Sequence, residues 1–268
     1  MKVALTIAGS DSGGGAGIQT DLHTFAAHGL HGTTAITAVT AQNSTGVSAW
    51  ATIDPGLVEA QIDAVASDMP VAATKTGMLA TAAVVDAVVR AIGRNPLGPV
   101  VVDPVMVARS GDRLVDASAQ RAYVDRLFPL AALLTPNVEE AEALLGRPVR
   151  DREAMHRAAR DLHRLGPAAV LVKGGGIEGG DEVVDVLFDG KVTVELRAPR
   201  VDTRNTHGTG CTLSAALAAR LALGDPLPDA ARAAKADLTA ALRASYAVGR
   251  GRGCVRHHEV VAPRGPPH

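Results

Sequence analysis

At 268 residues, 47% of them hydrophobic, with no linker-like interior stretch or repeat, the chain is long enough for one large α/β domain. Its 27 Lys and Arg nearly balance 28 Asp and Glu, which leaves no electrostatic footprint for nucleic acid or a membrane surface. Two cysteines outside any paired motif argue against a structural zinc site. The N-terminus is too short for a signal peptide and no apolar run approaches bilayer length, so a cytoplasmic protein is expected.

Residues 3–8 form a continuous apolar run, as expected of a parallel strand buried on both faces. The glycine-rich stretch that follows, residues 9–17, lies beyond the strand's carboxyl end, where open α/β sheets place ligands. Residues 18–28 read as a helix; Asp21, one turn in, can simply complement the helix dipole. A strand at 33–39 leads to a polar loop at 40–46. There Gln42 is either turn chemistry or a donor–acceptor edge for a heteroaromatic ring. A short strand at 47–53, a helix opened by Pro55-Gly56 and a strand at 71–76 follow, the last ending in Lys75-Thr76-Gly77-Met78-Leu79. The valine spacing of 81–92 predicts a helix.

Val100-Val101-Val102 reads as a core strand ending in Asp103, either a turn cap or a site carboxylate. The polar loop Ala108-Arg109-Ser110-Gly111-Asp112 is expected to be mobile, with a helix at 118–127 and a strand at 132–134 beyond it. Asn137 and Glu140 fit a capping box; Glu140 can equally help to hold a hydrated Mg²⁺. A basic amphipathic helix at 152–165 precedes a buried strand at 169–172 that ends in Lys173-Gly174-Gly175-Gly176. Segments 183–188 and 191–196, joined across Asp189-Gly190, give a hairpin signal. A last helix is expected over 227–248, then a partly frayed tail.

Asn205-Thr206-His207-Gly208-Thr209-Gly210-Cys211-Thr212 runs straight into an Ala- and Leu-rich helix. The first helical turn has unpaired N–H groups and positive potential, and two glycines let an anion come close. Cys211 in that field would lose its proton more easily. An anion cradle beside an activatable side chain suits phosphoryl transfer; the plain alternative is a shaped turn with Cys211 as a small buried hydrophobe. The alternation of strands and helices predicts a three-layer α/β/α sandwich around a mostly parallel sheet. Strand-end glycines after Ala8, Thr76 and Val172 would share one rim, with the Gly208 turn facing the same cleft.

The spacing of a dinucleotide-binding Gly-x-Gly-x-x-Gly is absent, as is a P-loop. A cysteine hydrolase pairing Cys211 with His207 lacks an orienting third group, and a non-catalytic metabolite-binding protein would not need Cys211. Several long stretches together resemble the hydroxymethylpyrimidine/phosphomethylpyrimidine kinases of thiamine biosynthesis. They are Ala8-Gly9-Ser10-Asp11-Ser12-Gly13-Gly14-Gly15-Ala16-Gly17-Ile18-Gln19-Thr20-Asp21-Leu22, Thr40-Ala41-Gln42-Asn43, Lys75-Thr76-Gly77-Met78-Leu79, Asp103-Pro104-Val105-Met106, Thr135-Pro136-Asn137-Val138-Glu139-Glu140-Ala141, Lys173-Gly174-Gly175 and, most specific, the segment from Asn205 to Leu217.

The resemblance runs from Val3 to about Val248 and implies a ribokinase-like fold, with residues 1–250 as one kinase domain and 251–268 as a tail. It implies ATP- and Mg²⁺-dependent phosphorylation of 4-amino-5-hydroxymethyl-2-methylpyrimidine, then of its monophosphate. It places Gly9, Asp21, Gln42, Met78 and Val105 around the pyrimidine. The N–H groups of Gly208, Thr209, Gly210 and Cys211 would stabilise the transferring phosphoryl group, with Cys211 as base. Asp103, Asn137 and Glu140 would organise Mg²⁺; Lys173, Thr206, His207 and Lys235 would approach the nucleotide. A stand-alone kinase and a homodimer are expected. The chain departs from the family's Gly-Pro-Val-type C-terminal motif at Gly253-Cys254-Val255. Related pyridoxal kinases share the Gly-Thr-Gly-Cys turn but tend to replace the glutamine at the position of Gln42, which favours the pyrimidine.

Overall fold

Apolar runs bounded by glycine turns become the strands of a nine-stranded sheet in a computed structural model that describes residues 1–106, 115, 117–177 and 179–257. The strands are β1 (Val3–Asp11), β2 (His31–Asn43), β3 (Gly46–Thr52), β4 (Val71–Thr76), β5 (Val100–Val102), β6 (Leu133–Leu134), β7 (Val170–Val172), β8 (Glu182–Phe188) and β9 (Thr193–Pro199). The spatial order is β3-β2-β1-β4-β5-β6-β7-β8-β9. Strands β2 to β7 in that row pair in parallel, and antiparallel partners, β3 on one edge and β8–β9 on the other, extend the sheet. The connection reverses direction between β1 and β4, the crevice where sheets of this class bind ligands.

The helices are α1 (Gly17–Ala27), α2 (Pro55–Asp68), α3 (Ala82–Arg94), α4 (Ala117–Ala122), α5 (Val138–Leu145), α6 (Arg152–His163), α7 (Thr209–Leu223) and α8 (Leu227–Arg243). Successive strand residues point to opposite faces, which sorts the core into two layers. Leu5, Ile7, Val100, Val102, Leu134 and Val170 pack against α2, α3 and α6 through Val58, Ile62, Val84, Val88, Met155 and Leu162. Their neighbours Ala4, Val101, Leu133 and Leu171 face α1, α7 and α8 through Phe25, Leu213, Leu217 and Ala234. Helix α7 is buried along most of its length, and its alanines let it lie close to the sheet. The α/β/α sandwich is as expected.

Several boundaries differ from the sequence reading. β1 and β2 run on through Asp11 and Asn43, because Ser10 and Asp11 pair with Val39 and Thr40, and the end of β2 pairs with β3. Gln42 is therefore a strand residue. The expected helix at 118–127 is α-helical only to Ala122 and then widens into a π turn, Tyr123–Leu127. Helix α8 stops at Arg243 rather than reaching Val248, because the chain turns back and Tyr246 and Cys254 exchange two backbone hydrogen bonds of 3.0 Å.

That return carries the tail over the rest of the molecule. Gly251 N donates to Ser44 Oγ, Arg252 N to Ser44 O, and His207 N to Gly253 O. Cys254, Val255 and His257 are buried. The expected loop at residues 108–112 and the tail from 258 onward lie outside the described residues.

Candidate active site

The strand-end glycines after Ala8 and Thr76 meet at one cleft, whereas of those after Val172, Gly175 and Gly176 border the cleft beside it. A cleft of about 880 Å³ is lined by Gly9 from β1, Gly77 after β4, Lys173 after β7 and Gly208 before α7. One wall is apolar: Met78 and Val105 cluster with Ala38 and Ala80, and a Cβ on Gly9 would sit 3.4 Å from Met78 Sδ. Gln42 lies at the same cleft. Apolar walls with one polar edge suit a flat ring.

Asp21 is not among its lining residues. It is fully buried beneath the cleft, where Lys75 Nζ approaches Asp21 Oδ2 and Oδ1 at 2.8 and 3.0 Å and Thr6 Oγ1 donates to Oδ2 at 2.6 Å. Lys75 itself lines the cleft. Burial opposes its charge, but the Asp21 carboxylate wins and holds the ammonium above its ordinary range.

The turn before α7 is built for an anion. Gly208 sits at φ +82°, where a Cβ would approach Gly15 O to 2.1 Å, so only glycine fits. No side chain caps this helix. Thr212 N donates to Gly208 O, whereas the N–H groups of Gly210 and Cys211 have no acceptor among the described residues. Two unpaired N–H groups at a helix N-terminus attract negative charge.

Cys211 behaves differently from the expectation of an easily ionised thiol. Burial pushes it up to about 11, against the pull of Lys75 and the Gly17 N–H, while Asp21 and Asp103 add to the rise. His207 does not reach toward it as a partner: His207 Nε2 lies 3.0 Å from Asp11 Oδ2, which also accepts from Gly15 N and Ala16 N. No hydrogen bond joins His207 to Cys211 among the described residues, which removes the support for a cysteine–histidine hydrolase pair.

Asp103, at the end of β5, accepts from Lys173 Nζ at 2.8 Å and from Ser214 Oγ at 3.0 Å. Burial works against its charge, yet Lys173 and Lys75 hold its carboxyl below the usual range. Asn137 and Glu140 form the capping box of α5: Glu140 N donates to Asn137 Oδ1 and Asn137 N to Glu140 Oε2, at 2.7 and 2.8 Å. Glu140 still faces the cleft, 3.9 Å from Lys173 Nζ, and burial pushes it up to about 7. No group of three or more His, Cys, Asp or Glu able to cage a metal occurs among the described residues. Two carboxylates sharing one lysine instead fit a hydrated cation that other ligands complete, as Mg²⁺ prefers.

A second cleft of about 940 Å³ adjoins the first, and Asn137, Lys173, Thr206, Thr209 and Gly210 line both. It holds Lys235, whose Nζ lies 2.7 Å from Asp185 Oδ2, while Asp185 Oδ1 accepts from Gly174 N. Fifteen of the sixteen residues singled out from the sequence thus border one or both clefts, Asp21 excepted.

Sequence reasoning gave no role to Lys75, Asp11, Asp185 or Ser214. Lys75 carried a signal: it is the one charged residue in the buried strand Val71–Thr76. Asp185 is tied to Lys235, 50 residues on, and Asp11, beyond its bonds to the adjacent glycine loop, meets His207, 196 residues on.

The family model described as phosphomethylpyrimidine kinase matches residues 11–256. The chain is 51% identical over 258 residues to the hydroxymethylpyrimidine/phosphomethylpyrimidine kinase of Synechococcus elongatus, covering 96% of this chain and 97% of that one. It is 51% identical over 253 residues to the thiamine biosynthesis bifunctional protein ThiED of Geobacter sulfurreducens, covering 94% of this chain but about half, 51%, of that protein. The solved ADP complex of Bacillus subtilis pyridoxal kinase superposes with a TM-score of 0.90 at 38% identity, over 97% of this chain and 98% of that one.

Proposed function

The chain belongs to the phosphomethylpyrimidine kinase family, of ribokinase-like fold, and from that premise we propose that it serves thiamine biosynthesis as an ATP-dependent kinase. Its acceptor is 4-amino-5-hydroxymethyl-2-methylpyrimidine, and then the monophosphate of that compound, which it carries to the diphosphate. The observation that carries this reading is the meeting of two clefts at one helix N-terminus. One cleft has the apolar walls and polar edge that suit a small ring. The other has lysines and open backbone suited to a nucleotide. Between them lie the unpaired N–H groups of Gly210 and Cys211.

Phosphoryl transfer asks mainly for alignment and charge stabilisation. In this reading Gly9, Met78 and Val105 hold the ring and Gln42 reads its polar edge. Asp21 acts from below, by fixing Lys75. The turn Gly208-Thr209-Gly210-Cys211 receives the transferring group, and its donors need no reorganisation as charge moves onto the equatorial oxygens. Cys211 as thiolate takes the hydroxyl proton, and Lys75 is the cation that favours that form. Lys173, Thr206 and Lys235 serve the nucleotide side, Lys173 and Thr206 bordering both clefts, while His207, expected there too, borders only the first.

Glu140, with Asp103 and Asn137 beside it, would hold Mg²⁺ through water. The ion would neutralise phosphate charge and would restore Glu140 to its ionised form. Residues 1–250 as one catalytic unit, a homodimer and a cytoplasmic location complete the reading. The continuous sheet supports the first, and the family resemblance the second. No helix among the described residues is long and apolar enough to cross a membrane.

The likeness to pyridoxal kinase of Bacillus subtilis favours one competing acceptor, pyridoxal. ADP release with Mg-ATP and three acceptors separates the readings: hydroxymethylpyrimidine, its monophosphate and pyridoxal. Turnover of both pyrimidines with little of pyridoxal is the expected result. Dominance of pyridoxal would move the enzyme to vitamin B6 chemistry, and no turnover of any acceptor would sink the substrate assignment.

A further inference from the structure

Gln42 is held at three levels. Opposite it the β2–β3 ladder carries a bulge: Ala41 pairs with Ala49 but Gln42 with Val47, leaving Ser48 as the extra residue. Bulges of this kind re-aim a side chain. Its main chain is gripped by one hydroxyl, since Gln42 N donates to Ser12 Oγ at 2.8 Å and Ser12 Oγ donates to Gln42 O at 2.7 Å. Its carboxamide touches Thr40, a buried residue that lines the same cleft.

Thr40 Oγ1 donates to the carbonyl of Ser10 at 2.9 Å and lies 3.2 Å from Gln42 Oε1. A threonine hydroxyl has a single proton. With Oε1 turned to it, that hydroxyl faces two acceptors and can serve one. The Ser10 carbonyl can only accept, and its bond is the shorter. The two ends of a carboxamide have nearly the same shape, so the hydrogen bonds decide which way it faces. A half-turn of the amide satisfies every group: Nε2–H donates to Thr40 Oγ1, and Oε1 looks into the cleft.

We propose that Thr40 is a positioning residue that turns the carbonyl oxygen of Gln42 toward the ring, so that the site selects a heteroaromatic acceptor bearing an amine at that edge. An oxo group in the amine's place meets Oε1 lone pair to lone pair. This deepens the kinase reading and rests on it.

The test compares kcat/KM of wild-type, Thr40→Val and Thr40→Ser enzymes on the aminopyrimidine and on its 4-oxo counterpart. The ratio of the two values does not depend on how much enzyme is folded. Wild type should prefer the amine. Thr40→Val, which keeps the shape and removes the hydroxyl, should cut the preference about tenfold through KM, with kcat within about twofold. Thr40→Ser should retain it. A preference unchanged in Thr40→Val, a loss of it in Thr40→Ser as large as in valine, or a fall in kcat alone would overturn the proposal while the kinase reading stands. Failure of the wild type to phosphorylate the aminopyrimidine would overturn the kinase reading itself, visibly before any variant is made.

Discussion

Lys75 Nζ lies 2.8 Å from Asp21 Oδ2, and neither side chain reaches solvent. Removing one partner from such a pair costs more than removing both, because the survivor is left as a buried, uncompensated charge. Asp21→Asn should therefore destabilise the protein by about 3–5 kcal/mol. The double change Asp21→Leu with Lys75→Met should recover most of that loss. Urea unfolding of the three proteins checks this; an Asp21→Asn midpoint equal to wild type would show that the pair is not needed for stability.

Glu140 gives the fold a pH dependence of determinable sign. Its folded value of about 7 lies above its ordinary 4.5, so the native state holds the proton more tightly than the unfolded chain. The resulting stabilisation is full below about pH 4.5 and is lost as pH rises through about 7, on the order of 3 kcal/mol. Glu140→Gln keeps an acceptor for the Asn137 N–H and should flatten the fall in melting temperature between pH 5 and 8. An equal slope in both proteins would assign the dependence to other groups.

The Cys211 thiol is the next readout. With its value raised to about 11, alkylation by iodoacetamide in the ligand-free protein should climb about tenfold per pH unit from pH 8 to 10, without a plateau. The same assay on Cys211→Ala subtracts the contribution of Cys254. A plateau near pH 7 would mean that the helix field outweighs burial. If Cys211 is the base, turnover in Cys211→Ala should fall by about 10²–10⁴ while pyrimidine binding stays near normal.

Gly208→Ala should separate cradle geometry from overall folding. A Cβ at φ +82° would collide with Gly15 O at 2.1 Å, and the turn must shift to relieve it. Displacing these donors should lower kcat by about 10²-fold or more, with far-ultraviolet circular dichroism unchanged. Near wild-type kcat would show that the turn does not hold the transferring group.

Local chemistry made much of this legible. The alternation of strands and helices, the capping box of Asn137 with Glu140 and the strand-end glycines all follow from nearest neighbours in sequence, and all are present. The hairpin at Asp189-Gly190 is present too, with a longer loop: Asp189 Oδ1 accepts from Lys191 N and Val192 N, and β9 begins only at Thr193. What was not legible depends on distant partners. Thr40 to Asn43 look like a polar loop until β3 pairs with them. Asp21 looks like a dipole charge until Lys75, 54 residues on, is found against it. The Cys211 thiol looked acidic because the helix start is visible in sequence, whereas the burial that outweighs it is not.

The return of the tail sets an order of events during synthesis. His207 N, one residue before the Gly208 turn, is held by Gly253 O, and Ser44 at the far hairpin is held by Gly251 and Arg252. A growing chain can pair β1 to β9 and pack α7 before residues 251–253 have left the ribosome. It cannot yet dock the segment that steadies both sides of the cleft. Competence for catalysis should therefore be acquired only once residues 251–253 have docked, as a late step of folding.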